Sequence, residues 1–239
     1  MVLGPNGKQV VHEGSYPRSS YYTDGIAWSP DSTRLALALV PDRVRIVDLD
    51  GDTLHDFGVT APRHVAWSPS GDLVAFTSGR DLMVVDVATG ATRIVVAMDS
   101  NVRFPMWLPD GQTIVFHGYT EALNTDLFAI ALDGTGLRNL TATSDLYEDV
   151  PAISPDRTRI AMVVEDGAER WVEVMNTDGS ARTRTVQDLE SLGAPAWSPD
   201  GTRLVVADGD AIFEVPVEPG LPSFLIGDGV APSWGRDPE

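Results

Sequence analysis

One short phrase recurs through the chain at near-constant spacing, and it limits the fold more than any other feature. Its fullest form is Trp197-Ser198-Pro199-Asp200-Gly201, followed at once by Thr202-Arg203-Leu204-Val205-Val206. Earlier copies are Trp28-Ser29-Pro30-Asp31, Trp67-Ser68-Pro69-Ser70-Gly71, Trp107-Leu108-Pro109-Asp110-Gly111 and Ile153-Ser154-Pro155-Asp156, and Trp234-Gly235 opens a last one. The anchors fall 39, 40, 46, 44 and 37 residues apart. A period of this length marks an array of supersecondary units, none of which can bury its own apolar surface alone.

Each period reads alike. A short apolar run ends at the anchor, as in Val65-Ala66-Trp67, and a Ser-Pro-Asp-Gly turn follows. Proline presets φ, Asp bonds its own backbone and Gly takes the left-handed conformation that closes the hairpin. Ser32 and Arg157 stand where glycine would be easiest, so those two turns are expected to be strained or differently shaped. A near-continuous apolar run comes next (Leu35 to Leu39, Leu73 to Phe76, Ile160 to Val163), as expected of a strand covered on both faces. A third strand, a Gly-bearing turn and a more polar fourth strand complete the unit. Pro105, Pro151, Pro195 and Pro232 precede their anchors by two residues. Proline donates nothing to a ladder, so the anchor strand is expected at a sheet edge. The tryptophans at repeat phase, Trp28, Trp67, Trp107, Trp197 and Trp234, are expected as core between units.

The phrase Pro-Ala-Trp-Ser-Pro-Asp-Gly-x-x-Leu-Val-Val, as at residues 195–206, resembles the WD40-like PD40 repeats of TolB-type β-propellers. The resemblance covers essentially residues 20–235. It implies an all-β, six-bladed β-propeller of four-stranded antiparallel blades, forming one domain over 1–239 in a bacterial protein. Five blades fall at about 20–58, 59–98, 99–144, 145–189 and 190–229. The sixth is expected from 230–239 plus 1–19, with a hairpin turning at Asn6-Gly7. No segment supplies its second strand, so either that blade is incomplete or the natural protein continues beyond Glu239.

Composition narrows the partners. The 239 residues carry a net charge of −18, with −4 in residues 1–120 and −14 in 121–239. Such a surface repels phosphate backbones and anionic lipid, which argues against nucleic-acid and membrane-surface binding. There is no cysteine, hence no disulfide framework and no thiolate nucleophile. No apolar run approaches the ~20 residues of a membrane span. Met1 to Lys8 has neither the basic head nor the apolar core of a signal peptide. The chain as given reads as soluble, monomeric and cytoplasmic; it would be periplasmic or extracellular if a signal sequence was removed.

A propeller of this kind is expected to place ligands where its first strands begin. The candidate ligand-binding residues there are Asp24, Arg63, His64, Arg103, His117, Tyr119, Tyr147, Glu148, Asp149 and Trp171. Trp171 is included because it falls outside the repeat phase, and the stretch His117 to Asp126 reads as the longest loop. A mixed ring of arginines, carboxylates and aromatics suits a protein or peptide segment, or a small polar metabolite. No Gly-x-Ser-x-Gly elbow, His-Glu-x-x-His or phosphate-cradling glycine loop occurs. The reading is therefore a non-catalytic binding or scaffold module without a cofactor. The alternatives are a metal-dependent lactonase- or lyase-like propeller enzyme, or a propeller domain of a larger hydrolase or sensor. In the enzyme reading Asp24, Asn101, Glu148 and Asp149 would hold Ca²⁺ or Mn²⁺.

Overall fold

The computed structural model describes residues 2–4, 7–9, 25–120, 124–186, 193–218 and 223–228. No helix occurs among them. Five four-stranded antiparallel sheets follow one another, each with its strands in chain order. The first contains β3 (Ile26–Trp28), β4 (Arg34–Leu39), β5 (Arg43–Asp48) and β6 (Thr53–Gly58), after a separate hairpin of β1 (Val2–Gly4) and β2 (Gly7–Gln9). The second contains β7 (Pro62–Trp67), β8 (Leu73–Ser78), β9 (Asp81–Asp86) and β10 (Thr92–Ala97). The third contains β11 (Val102–Trp107), β12 (Thr113–Tyr119), β13 (Thr125–Ala131) and β14 (Arg138–Asn139). The fourth contains β15 (Tyr147–Ile153), β16 (Arg159–Glu165), β17 (Arg170–Asn176) and β18 (Thr183–Val186). The fifth contains β19 (Ala196–Trp197), β20 (Arg203–Asp208), β21 (Ala211–Pro216) and β22 (Phe224–Asp228). These are the blades of a β-propeller, with every anchor at the end of a first strand. The expected N-terminal hairpin is present, while residues 230–239, expected in the sixth blade, lie outside the described residues.

The turns explain why the phrase recurs. The Ser29 hydroxyl donates to Asp31 Oδ1 and accepts the N–H of Arg34, the first residue of β4, at 2.9 Å. Asp31 in turn accepts the Thr33 N–H and hydroxyl at 3.1 and 2.8 Å. Ser154 with Asp156 and Ser198 with Asp200 repeat the arrangement. The hydrogen bond from Ser29 is the main cause that lowers the Asp31 carboxyl to about 2, and that from Ser198 does the same for Asp200. Ser32 and Arg157 adopt φ of 58° and 57°, beside 75°, 62° and 69° for Gly71, Gly111 and Gly201. Those two turns therefore keep the common shape and carry the strain of a side chain in the left-handed region.

Contacts divide the chain into two compact units, Met1–Gly118 with Ala129–Leu137, and Tyr119–Phe128 with Arg138–Glu239. In the first, the Trp67 indole donates to the Ala27 carbonyl at 3.0 Å and Trp107 to the Ala66 carbonyl at 3.1 Å. The Arg34 guanidinium lies 4.9 Å from the centre of the Trp67 ring. In the second, Trp197 donates to the Ala152 carbonyl at 2.9 Å beneath the Arg159 guanidinium. One joint is thus built repeatedly: an anchor indole reaches the carbonyl of the small residue just before the preceding anchor. Around it pack the second strands, such as Ala36, Ala38, Val74 and Phe76 in one unit and Leu204 and Val206 in the other, all buried. Trp28 departs from expectation. It is 51% exposed, against 4%, 2% and 8% for Trp67, Trp107 and Trp197. No four-stranded sheet precedes it in the chain among the described residues. Trp234 lies outside them.

Candidate functional site

The first strands of the second, third and fourth blades share an irregularity near their N-terminal ends. Ladder pairs Arg63–Thr77, Arg103–His117 and Asp149–Val163 are followed by a register shift, after which Ala66 pairs with Ala75, Met106 with Val115 and Ala152 with Ala161. Two residues of the first strand thus oppose one of the second, which is a β-bulge. The first bulged residue is left-handed each time, with φ of 45° at His64, 49° at Phe104 and 44° at Val150. The next residue is Pro105 in the third blade and Pro151 in the fourth, on edge strands as expected.

In the first unit the bulges turn side chains inward. His64 is buried, its Nδ1 lies 3.0 Å from the Thr77 hydroxyl, and that hydroxyl donates to the Arg63 carbonyl at 3.3 Å. The His64 ring meets Phe104 edge-on at 4.7 Å, and Phe104 meets His117 at 5.8 Å. His117 is also buried. Arg63 is exposed and Arg103 half-buried, on neighbouring strands β7 and β11. Asn101, just before β11, is exposed.

In the second unit Tyr147 is exposed, Tyr119 and Asp149 are half-buried, and Glu148 is 0% exposed. Asp149 Oδ1 accepts the N–H of Val150 at 2.8 Å. Glu148 receives Arg182 Nη2 at 2.7 Å, and Arg182 also pairs with Glu173. The Thr143 hydroxyl lies 3.0 and 3.2 Å from the two Glu148 oxygens and 3.3 Å from Asp126 Oδ1. Burial is the main cause that pushes the Glu148 carboxyl up to about 7, with Asp126 adding to it and Arg182 opposing. Trp171 is 6% exposed; its N–H donates to Glu173 at 2.7 Å, and the Arg184 guanidinium lies 4.1 Å from its ring centre. It is a packed residue of the blade with both its N–H and one face engaged.

No protein-family model matches the chain. The Tol-Pal system protein TolB of Anaeromyxobacter dehalogenans is 30% identical over 128 residues, covering 52% of this chain and 29% of the relative. Among solved structures, a TolB from Agrobacterium tumefaciens superposes with a TM-score of 0.68 at 19% identity, over 86% of this chain and 80% of that one. An oligogalacturonate lyase from Vibrio parahaemolyticus gives 0.71 at 12% identity, over 91% and 68%. The lyase likeness is one of fold. The TolB match adds sequence to fold, and with the PD40 phrase it makes TolB-type β-propellers the proteins that this chain resembles in both. The chain spans under a third of the length of the TolB relative it matches.

Within this TolB-type propeller the candidate residues separate by environment. Arg63 and Tyr147 face solvent, Arg103, Tyr119 and Asp149 are partly covered, and His64, His117, Glu148 and Trp171 are buried. Asp24 lies outside the described residues. The stretch read as the longest loop is mostly strand, since β12 runs to Tyr119 and β13 begins at Thr125. Among the described residues no three His, Asp or Glu side chains form a metal-holding group. A cation at Glu148 would have to displace the Arg182 guanidinium. A cavity of about 720 Å³ lies in the second unit at the opposite strand ends, lined by Arg159, Met175, Asn176, Arg203 and Phe224 among others, and includes none of the candidates. The bulges, which set which candidates face outward, were not anticipated from sequence. Pro105 and Pro151, each directly after a left-handed residue, were the available signal.

Proposed function

We propose that this chain is a non-catalytic binding module that captures a protein or peptide segment at the N-terminal ends of its first strands. The observation that carries this reading is the placement of Arg63 and Arg103 at equivalent register positions of neighbouring blades, each just before a bulge, in a TolB-type propeller. Arginines at this position on two neighbouring strands favour a segment that brings a carboxylate, because charge-assisted bonds to arginine are both strong and directional. In the second unit Tyr147 offers flat, exposed contact area of the sort enriched at interfaces. The likeness to TolB supports a scaffold role, and with it a periplasmic setting reached after removal of a signal sequence. No described helix is long and apolar enough to cross a membrane.

The test is fluorescence anisotropy with labelled acidic, neutral and basic peptides of equal length. The acidic set should bind, and Arg63→Ala combined with Arg103→Ala should weaken it about tenfold or more, as expected for loss of charge-assisted bonds, with circular dichroism unchanged. Equal binding by all three sets, or an indifferent double variant, would refute the assignment.

A further inference from the structure

We propose that the charged cluster of Asp126, Glu148, Glu173 and Arg182 is a proton-dependent latch. It holds the start of β13 against the fourth sheet while Glu148 is protonated, and releases it when Glu148 ionises. The latch concerns the order of the blade itself and does not depend on what docks at the first-strand ends.

At three joints an anchor indole ties a blade to the one before it, through Trp67, Trp107 and Trp197. The fourth blade has Ile153 at its anchor, a side chain with no donor. Within the second unit, the start of β13 and the chain around β14 meet the fourth sheet through polar groups instead. The Thr125 hydroxyl donates to the Glu148 carbonyl at 2.8 Å, and Asn124 Nδ2 to the Thr143 carbonyl at 2.6 Å. Asp126 receives Asn139 Nδ2. The Thr143 hydroxyl stands between two acids, 3.3 Å from Asp126 Oδ1 and 3.0 and 3.2 Å from the Glu148 oxygens. Arg182 spans Glu148 and Glu173.

Charge makes this joint conditional. The cluster holds three carboxylates and a single guanidinium, and the two acids that reach the Thr143 hydroxyl are almost fully buried, Glu148 at 0% and Asp126 at 1% exposed. Two ionised carboxylates that close together and out of water repel each other strongly. The charged groups facing Glu148 are Asp126 on β13 and Arg182 before β18. On β16 its ladder partner is the apolar Val164, and Glu173 on β17 acts through Arg182. Tyr147 and Asp149 on its own strand alternate to the opposite face. Arg182 already holds Glu173, so its one charge is divided. Burial is the largest influence on the Glu148 carboxyl; Arg182 opposes it, Asp126 adds to it, and the group stands at about 7. Protonated, Glu148 is a neutral neighbour for Asp126. Ionised, it repels Asp126, and parting β13 from β15 lets water reach both. The latch is therefore closed on the acid side of about pH 7 and opens on the alkaline side.

The experiment is hydrogen–deuterium exchange of the full chain across about pH 5 to 8, with rates corrected for the chemical effect of pH. It is read over residues 124–128 and 140–150, which form the seam, and over β20 (Arg203–Asp208) for comparison. The seam should be less protected than β20 at each pH, because it opens locally. Its protection should fall about tenfold between pH 6 and 8, the change expected when one carboxyl titrates at about 7 in the closed form and near its usual 4.5 in the open one. Glu148→Gln keeps the shape without the charge and should abolish this fall. Asp126→Asn removes the like charge and should move the fall to lower pH, with circular dichroism retained as evidence of fold. Seam protection equal to that of β20 throughout would mean that only global unfolding exposes it, and would overturn the latch. So would seam protection that is constant with pH, or a fall that survives Glu148→Gln. If Glu148→Gln does not fold, Asp126→Asn decides: a midpoint moved to lower pH upholds the latch, and an unmoved one overturns it.

Discussion

The two ends of a first strand teach different things. At the C-terminal end every described blade makes the same kind of turn, and three of them share one hydrogen-bond pattern. Ser29, Ser154 and Ser198 each donate to an aspartate two residues on, and each accepts the N–H of an arginine that opens the next strand. At the N-terminal end the backbone bulge recurs in three blades but the side chains disagree, with Arg63, Arg103 and Asp149 at one register position. A blade needs the first end in order to fold and join its neighbour. The second end is held by a shared backbone shape that leaves its side chains free to vary, which is what a binding surface needs.

The largest way to break this contrast is through the inter-blade joint. Trp107→Ala removes a ring that is 2% exposed together with its bond to Ala66, and should destabilise the protein by about 3–5 kcal/mol. Trp28→Ala, at the same phase but half exposed, should cost less than about 1 kcal/mol. Urea denaturation of both variants tests the pair, and equal losses would mean that the joint is not what the repeat phase encodes.

Glu148 offers the next effect. Its carboxyl is raised from 4.5 to about 7 in the folded protein, so the folded state binds this proton more tightly than the unfolded one. The resulting stability is complete below about pH 4.5 and is lost as pH rises through about 7. The difference amounts to about 3 kcal/mol at the limits. Glu148→Gln should flatten this part of the stability–pH curve between pH 5 and 8, judged by urea midpoints against the parent. A parent curve that rises over that window would contradict the raised Glu148 carboxyl.

These outcomes also separate what the sequence made legible from what it did not. Strand order, the turns and the buried phase of Trp67, Trp107 and Trp197 follow from local chemistry repeated often enough to be unmistakable. The bulges do not, because the propensities of Phe and Val disfavour a left-handed backbone and the register shift shows only in the paired ladder. Glu148 reads in sequence like its exposed neighbour Tyr147, although strand alternation places the two on opposite faces. Its partners Asp126, Thr143 and Arg182 come from other segments, so the buried pair has no local trace. Trp171 stands off the repeat phase, and Glu173, two residues on along the same strand, takes its N–H, but Arg184 covers its ring from a position that sequence spacing does not connect.

At the turn end the effects are smaller. Ser198→Ala removes the hydroxyl that donates to Asp200 and receives the Arg203 N–H at 2.9 Å, and should cost about 1–2 kcal/mol. Ser68→Ala should cost less than Ser198→Ala, because Ser68 likewise receives the Leu73 N–H at 3.0 Å, but Ser70 replaces the acid in its turn and offers a neutral hydroxyl at 3.2 Å. Matched urea melts check the order.

The smallest effect has the opposite sign. Ser32 holds φ of 58° at the position that Gly71, Gly111 and Gly201 fill in other turns, and it is exposed, so its side chain contributes little packing against that strain. Ser32→Gly should therefore stabilise the protein by about 0.5–1 kcal/mol, the strain relief outweighing the extra chain entropy of glycine. Gly201→Ala should lose a similar amount, since a Cβ there enters the left-handed region and meets Arg159 Nη2 at 3.4 Å. Arg157→Gly is the informative third variant. Its φ of 57° matches that of Ser32, but the Arg157 side chain is half-buried, so the gain from released strain should be offset by lost packing. A gain in Arg157→Gly as large as that in Ser32→Gly would show that this arginine adds nothing to its blade. A loss would show that the turn tolerates strain because its side chain is anchored.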